Sequence, residues 1–272
     1  MSSPTPSYIL GSTDAEHERL IWQAIRVAPA TERLFREAGI VVGQRVLDIG
    51  SGLGDVSMLL ARFVGPTGEV VGVERDPKSL ARAQARVTEA RLRNVTFVLA
   101  DLNELPTGPK FDAAVGRFIL MFLPDPTAVL RSLADVVRPG GVLAFLEPSW
   151  APVLARVAAL PLWSQTTALI HQTMLRTGVN PEMGVDLYWK FQEAGFPAPT
   201  MLQETPLGRD PDFAEWFVGL VRTLEPRMTD LHLPVEAVGE LGTLASRMQT
   251  EVESSDVVAT WVAPVGVWAR NP

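Results

Sequence analysis

The densest chemical signal lies in Val46-Leu47-Asp48-Ile49-Gly50-Ser51-Gly52-Leu53-Gly54. An apolar run ends in an acidic residue and three alternating glycines. Glycines permit a tight turn and let a ligand approach the backbone closely. A helix following them would turn free N–H groups and a positive dipole end toward that ligand. Downstream, Val73-Glu74-Arg75-Asp76 sets a carboxylate twenty residues past Gly54. A carboxylate there can accept from both hydroxyls of a ribose. Leu99-Ala100-Asp101-Leu102 offers another, able to accept from an exocyclic adenine amine, with the Leu102 N–H beside it. Taken alone, Glu74 or Asp101 reads as a solvated residue at a strand end.

Three readings of the glycine segment compete. It is a ligand-free strand–helix turn, a dinucleotide site, or a site for a ligand with a cationic group near Asp48. The dinucleotide fingerprint G-x-G-x-x-G puts its third glycine at position 55. That position holds Asp55, ill matched to a pyrophosphate. The cationic ligand fits best.

These residues need elements to position them. Residues 1–13 are polar and turn-rich and read as an arm. Asp14 to Ile40 has helical periodicity, with Pro29 expected to separate two helices and Gly39 to stop the second. From Gly43 the rhythm changes. Strands are expected at Arg45 to Ile49, Glu69 to Val73, Asn94 to Leu99, Phe111 to Arg117 and Gly141 to Leu146. Helices are expected at Val56 to Phe63, Pro77 to Arg91 and Asp125 to Val137. This alternation argues for an α/β fold, a doubly wound Rossmann-like parallel sheet with helices on both faces. Beyond Glu147 come a helical stretch at 149–182, a helix from Gly184 to Ala194 and a strand from Pro199 to Thr205. A second helical stretch at about 210–254 precedes a final strand-like run, Val257 to Ala269. The expected organisation is an N-terminal helical arm (1–40), a ligand-binding core (41–148), a helical lid insertion (149–182), and completion of the sheet (183–272).

The 272 residues include 24 basic and 31 acidic side chains, for a net charge of −7. With 47% hydrophobic residues, disorder is excluded as the dominant state. The acidic balance, with only Lys78, Lys110 and Lys190 as lysines, argues against a nucleic-acid partner. The lack of cysteine removes disulfides, thiolate metal sites and cysteine nucleophiles, and suits a cytoplasmic location. No signal peptide or membrane span is expected, and no metal site.

The segments VLDIGSGLG, VVGVERDP, FVLADLNELP, GRFILMFLPDP and VRPGGVLAFLEP together resemble the class I S-adenosylmethionine-dependent methyltransferases, in their small-molecule branch. The resemblance spans residues 43–148. It implies a seven-stranded sheet with the last strand antiparallel. It implies S-adenosylmethionine as cofactor and S-adenosylhomocysteine as product. Asp48, Gly50, Ser51 and Gly52 would hold the methionine part, Glu74 with its neighbour Arg75 the ribose, and Asp101 and Leu102 the adenine. Arg117, at the fourth-strand end, would lie beside the methionine moiety. Tyr8 is a candidate to close over the cofactor. The chain lacks [DNS]-P-P-[YFW] after the fourth strand, which counts against amide-nitrogen and adenine-N6 methylation.

The implied activity is methyl transfer to a small-molecule acceptor by in-line displacement. Where the acceptor needs a base, His171, Glu147 and His17 are the candidates. The apolar stripes Trp150, Leu160, Trp163, Ile170, Met174, Leu175 and Phe213, Trp216, Phe217, Leu220, Met228 read either as core or as the lining for an apolar acceptor. Two alternatives stay open: a fold of this type repurposed for cyclisation, and a non-catalytic cofactor-binding regulator. Self-association through the N-terminal helices is open on general grounds.

Overall fold

The computed structural model describes Gly11 and Thr13–Pro272. In chain order the elements are α1 (Asp14–Glu37), β1 (Arg45–Ile49), α2 (Asp55–Phe63), β2 (Glu69–Glu74), α3 (Pro77–Glu89), β3 (Val95–Leu99), β4 (Phe111–Arg117), α4 (Pro126–Val136) and β5 (Val137–Ser149). There follow α5 (Ala151–Arg156), α6 (Pro161–Arg176), α7 (Met183–Glu193), β6 (Thr200–Gln203), β7 (Leu207–Gly208), α8 (Pro211–Asp230), α9 (Leu244–Glu253), β8 (Ala259–Thr260) and β9 (Ala263–Arg270). The described residues form two compact units.

The α/β unit comprises Leu20–Pro148, Met183–Gln203 and Pro264–Pro272. Its seven-stranded sheet has the order β3-β2-β1-β4-β5-β9-β6. The pairs β1–β2, β1–β4, β2–β3 and β4–β5 are parallel, and β9 runs antiparallel to β6. Apolar runs build the central strands because helices cover both faces. Val46, Leu47, Ile49, Val70, Val73, Ala113, Val115 and Val142 to Phe145 are fully buried. Register aligns the carboxyl ends: Ile49 sits opposite Val73 and Gly116, Glu74 opposite Leu99, and Arg117 opposite Leu146. The residues following these ends therefore share one edge of the sheet. The strand order reverses between β1 and β4 at that edge, the place where open α/β sheets bind ligands.

Pro29 does not divide the first helical region, and α1 runs unbroken through it. A proline removes one backbone bond, here to the Ile25 carbonyl. Ile25 is exposed, so water can serve that carbonyl. Ala24, Val27, Ala30, Leu34 and Phe35 bury one continuous face on both sides of the proline, and that burial holds the helix together. Gly39 does end the region, with φ +76° and the Ile40 N–H donating to the Phe35 carbonyl.

The helical unit comprises Met1–Arg19, Ser149–Glu182 and Glu204–Ala263, of which the first ten residues and Ser12 are not described. Here α6 packs on α8, and α8 on α9. The expected strand at Val257 to Ala269 is two strands. Its first part, β8, pairs with β7 in a separate two-stranded sheet, and only the second joins the large sheet. β7, only two residues long, lies beyond what periodicity can register. Among the described residues no helix is long and apolar enough to cross a membrane.

Candidate active site

The turn from β1 to α2 is built of left-handed backbone. Gly50, Gly52 and Gly54 have φ of +62°, +52° and +80°, a region costly for other residues. Their surroundings differ. A Cβ at Gly50 would meet Ile119 Cδ1 at 2.6 Å, and one at Gly54 would meet Ala83 and Phe97 at 3.1 Å. Among the described residues a Cβ at Gly52 would meet only the Gly50 carbonyl oxygen, at 4.0 Å. The outer two glycines serve packing. The middle one faces open space.

Asp48, at the end of β1, is buried. Its Oδ2 accepts a 2.5 Å hydrogen bond from Ser57 Oγ in the first turn of α2. Burial pushes its carboxyl up to about 7, against the opposing pull of the Ser57 hydroxyl and the Arg117 charge. Beside it the Ser51 hydroxyl is buried without a hydrogen-bond partner among the described residues. Such an orphan points to a missing group at the site. Glu74 is more than a free carboxylate at a strand end. Its Oε2 accepts from the Gly52 N–H at 2.8 Å, and its Oε1 from the N–H groups of Arg75 and Asp76 at 2.9 and 2.8 Å. It thus ties the end of β2 to the glycine turn. A carboxylate has about four acceptor positions, so Oε2 keeps capacity for a hydroxyl. Arg75 is exposed.

Asp101 Oδ1 accepts from the Asn103 N–H at 3.0 Å and Nδ2 at 2.7 Å. Its Oδ2 and the Leu102 N–H make no hydrogen bond among the described residues. Arg117 is half-buried, and Nη1 donates to Thr31 Oγ1 at 3.2 Å. Burial lowers its pKa, while Asp55 and Asp48 favour its charge. Residues 118–123, an apolar run, continue from it along the same edge. Tyr8 lies outside the described residues.

The base candidates have the following surroundings. Glu147 is fully buried at the end of β5, with both oxygens taken by backbone N–H groups of Ile119, Leu120 and Met121 at 2.9, 2.9 and 3.3 Å. Burial pushes its carboxyl up to about 7, against those three donors. His171 lies on α6 in the helical unit, its ring 6.1 Å from that of Trp150. Burial lowers its pKa, opposed by the Glu182 charge. His17 lies on α1, and its Nε2 is buried without a hydrogen-bond partner among the described residues. The aromatic stripes pack on one another: Trp150 against Phe217 and Trp216, and Trp163 against Phe217, at 5.6 to 6.4 Å.

Three supporting residues escape a reading of the sequence. Ser57 is a common residue in a helix, and its contact with Asp48 spans nine positions. Arg86 on α3 clamps the turn from outside, donating to the Leu53 carbonyl and to Asp55 Oδ1, both at 2.7 Å. Ile119 fills the space beside Gly50. Only the alternating spacing of Gly50 and Gly52 hinted that something must fit there. Among the described residues no cluster of His, Asp and Glu is suited to a metal ion.

The glycine turn, the orphan Ser51 hydroxyl, the open face at Gly52 and three carboxylates along one sheet edge fit an adenosyl amino acid. A family profile of the methyltransferase domain matches residues 40–195. The chain belongs to that methyltransferase-domain family. It is 30% identical over 196 residues to a 37.1 kDa protein encoded in transposon TN4556 of Streptomyces fradiae, covering 72% of this chain. It is 35% identical over 150 residues to the aklanonic acid methyltransferase DauC of Streptomyces sp. strain C5, covering 54% of this chain. The chain spans 55% and 66% of those two relatives' lengths. The crystal structure of BH2331 from Bacillus halodurans C-125 superposes with a TM-score of 0.58 at 18% identity, covering 89% of this chain and 98% of the other. It shares the fold.

Proposed function

We propose that the protein moves a methyl group from S-adenosylmethionine to a small, largely apolar metabolite by in-line displacement, releasing S-adenosylhomocysteine. The observation that carries this is the pairing of buried Asp48 with the open Gly52 backbone and Glu74. Asp48 would receive the ammonium group of the amino-acid tail, and the Ser51 hydroxyl its carboxylate. Glu74 would hold the ribose hydroxyls, while Asp101 Oδ2 and the Leu102 N–H would read the adenine. Arg117 would lie beside the tail, and Tyr8 and Arg75 would close the outer side. The bound sulfonium supplies an already activated methyl group, so the protein's task is chiefly alignment at about 3 Å.

An apolar acceptor is supported by the run Phe118 to Leu123 beyond β4, in which Phe118, Ile119, Phe122 and Leu123 are only half-buried. The name of the Streptomyces relative, which acts on aklanonic acid, points the same way. Of the base candidates, His171 suits proton acceptance best, because burial lowers its pKa and so favours the neutral, proton-accepting form. A cytoplasmic setting and the absence of a nucleic-acid partner belong to the same proposal.

Calorimetry with S-adenosylmethionine, followed by incubation with methyl-labelled donor and a panel of phenolic and quinone small molecules, tests the reading. Label should move into the organic-extractable fraction. H171A should slow that transfer while leaving donor affinity intact. Donor binding with no transfer to any panel member, or label appearing in RNA, would overturn the acceptor assignment.

A further inference from the structure

The structure assigns to Glu147 a positioning role: its carboxylate holds the loop after β4 so that Ile119 seats the glycine turn. The loop begins with strain. Phe118 has φ +52°, a left-handed backbone in a bulky aromatic residue. Such a residue is strained and persists only when its surroundings enforce it. The Phe118 N–H still completes the sheet, donating to the Leu146 carbonyl at 2.9 Å. The chain then turns, and three consecutive N–H groups, of Ile119, Leu120 and Met121, converge on one buried carboxylate. Glu147 makes no ion pair among the described residues; backbone N–H groups alone hold it.

The consequence falls on Ile119. Its Cδ1 lies 2.6 Å from where a Gly50 Cβ would be, and its Cγ2 lies 2.8 Å from where a Gly116 Cβ would be. Ile119 thus fills the gap between the ends of β1 and β4 and packs against the start of the glycine turn. From behind, α7 presses close: a Cβ at Gly184 would sit 2.8 Å from the Glu147 carbonyl oxygen. The end of β5 is therefore fixed, and the carboxylate passes that fixity through three N–H groups to Ile119 and then Gly50. Glu147 does not touch the acceptor in this account. It acts on cofactor affinity through a neighbour.

This rests on the cofactor reading above, yet one arm of its test needs no cofactor. Hydrogen exchange of the full chain without ligand should show faster exchange in E147Q, both at residues 118–123 and at the glycine turn, residues 49–55. Calorimetry should show weaker S-adenosylmethionine binding in E147Q, by about tenfold, the scale of a lost charged hydrogen bond. I119A should weaken binding to a similar extent, and E147Q/I119A little further, because the two lie on one path. V142A, a core truncation on the same strand, should lower thermal stability without this loss of affinity. An unchanged glycine turn in the exchange of E147Q, or additive losses in the double variant, overturns the assignment. If E147Q does not fold, E147D is read in the same two ways. A wild-type chain that binds no S-adenosylmethionine refutes the proposed function, and the exchange arm then decides the role of Glu147.

Discussion

The Ser57 hydroxyl donates a 2.5 Å hydrogen bond to the buried carboxylate of Asp48, joining the first turn of α2 to the end of β1. It is the only hydrogen bond on the Asp48 carboxylate among the described residues, and it leaves Oδ1 for a ligand. Asp48 must be ionised to pair with an ammonium group, and burial opposes ionisation. Ser57 offsets part of that cost. S57A should therefore push the Asp48 carboxyl higher still and weaken S-adenosylmethionine binding at pH 7. The same change should lower unfolding stability by roughly 1–2 kcal/mol through loss of the hydrogen bond. Calorimetry against pH checks this: the affinity profile of S57A should be displaced to higher pH. An unshifted profile would falsify the link between Ser57 and ligand charge.

Stability and binding should respond to pH in opposite directions. Asp48 rises from an ordinary 3.8 to about 7, and Glu147 from 4.5 to about 7. A raised carboxyl binds its proton more tightly in the folded chain than in the unfolded one. Its stabilising contribution is complete below the unfolded pKa and is lost as pH climbs through the folded value. The chain without ligand should thus be more stable to urea at pH 5.5 than at pH 8. About 2 kcal/mol per group is the upper scale of the loss over this interval, because only the span from pH 5.5 to the folded value of about 7 contributes. Donor affinity should rise over the same interval as Asp48 ionises. Urea titrations at both pH values, with and without S-adenosylmethionine, separate the two trends. Greater stability of the unliganded chain at pH 8 would contradict the burial of these carboxyls as uncompensated charges.

Local periodicity made the alternating core readable. Buried parallel strands show as short β-branched runs, and the ends of those runs mark Asp48, Glu74, Asp101, Arg117 and Glu147 as neighbours on one sheet edge. What stayed hidden depends on contacts between distant positions. The Gly52 N–H bonded to Glu74 is 22 residues away in sequence. Arg86 reaches Asp55 across 31 residues. The role of Glu147 emerges only once β4 and β5 lie side by side. Pro29 misled because proline is a local breaker, whereas the apolar face from Ala24 to Phe35 that keeps α1 whole is tertiary. The strand-like run after Val257 misled in the opposite sense. Continuous β propensity says nothing of a change of sheet, and Thr260 pairs with Leu207 while Val265 pairs with Gln203.

The glycines of the turn should separate folding from binding. At Gly52, with φ +52° and open space around the missing Cβ, alanine costs only backbone strain, roughly 1–2 kcal/mol. The added methyl then stands on the face reserved for the ligand. At Gly54, with φ +80°, alanine also meets Ala83 and Phe97 at 3.1 Å. G54A should therefore lose more stability than G52A. G52A, although well folded, should lose most of its S-adenosylmethionine affinity. Thermal melts and calorimetry on the two variants check the contrast, and normal donor binding by G52A would remove the turn from the cofactor site.

The helical unit offers a variant that tests packing without touching the cofactor residues. α6 starts at Pro161 without a side-chain cap from its own flanking residue. The cap comes from α9 instead: the Glu251 carboxylate accepts from the N–H groups of Leu162 and Trp163 at 2.9 and 3.1 Å. Nearby, Trp163 Nε1 donates to the Met248 carbonyl at 2.8 Å, so α9 holds both the start of α6 and its buried indole. Removing a carboxylate cap leaves helix N–H groups unpaired and gives up a favourable charge–dipole contact. E251A should lower stability by roughly 1–2 kcal/mol and alter the near-ultraviolet circular dichroism of the Trp163 environment. E251Q keeps an acceptor oxygen and should recover part of the loss. Because no cofactor residue touches this cap, S-adenosylmethionine affinity in E251A should match the wild type. A parallel fall in affinity would show that the helical unit governs donor binding, and the division of labour drawn between the two units would have to be given up.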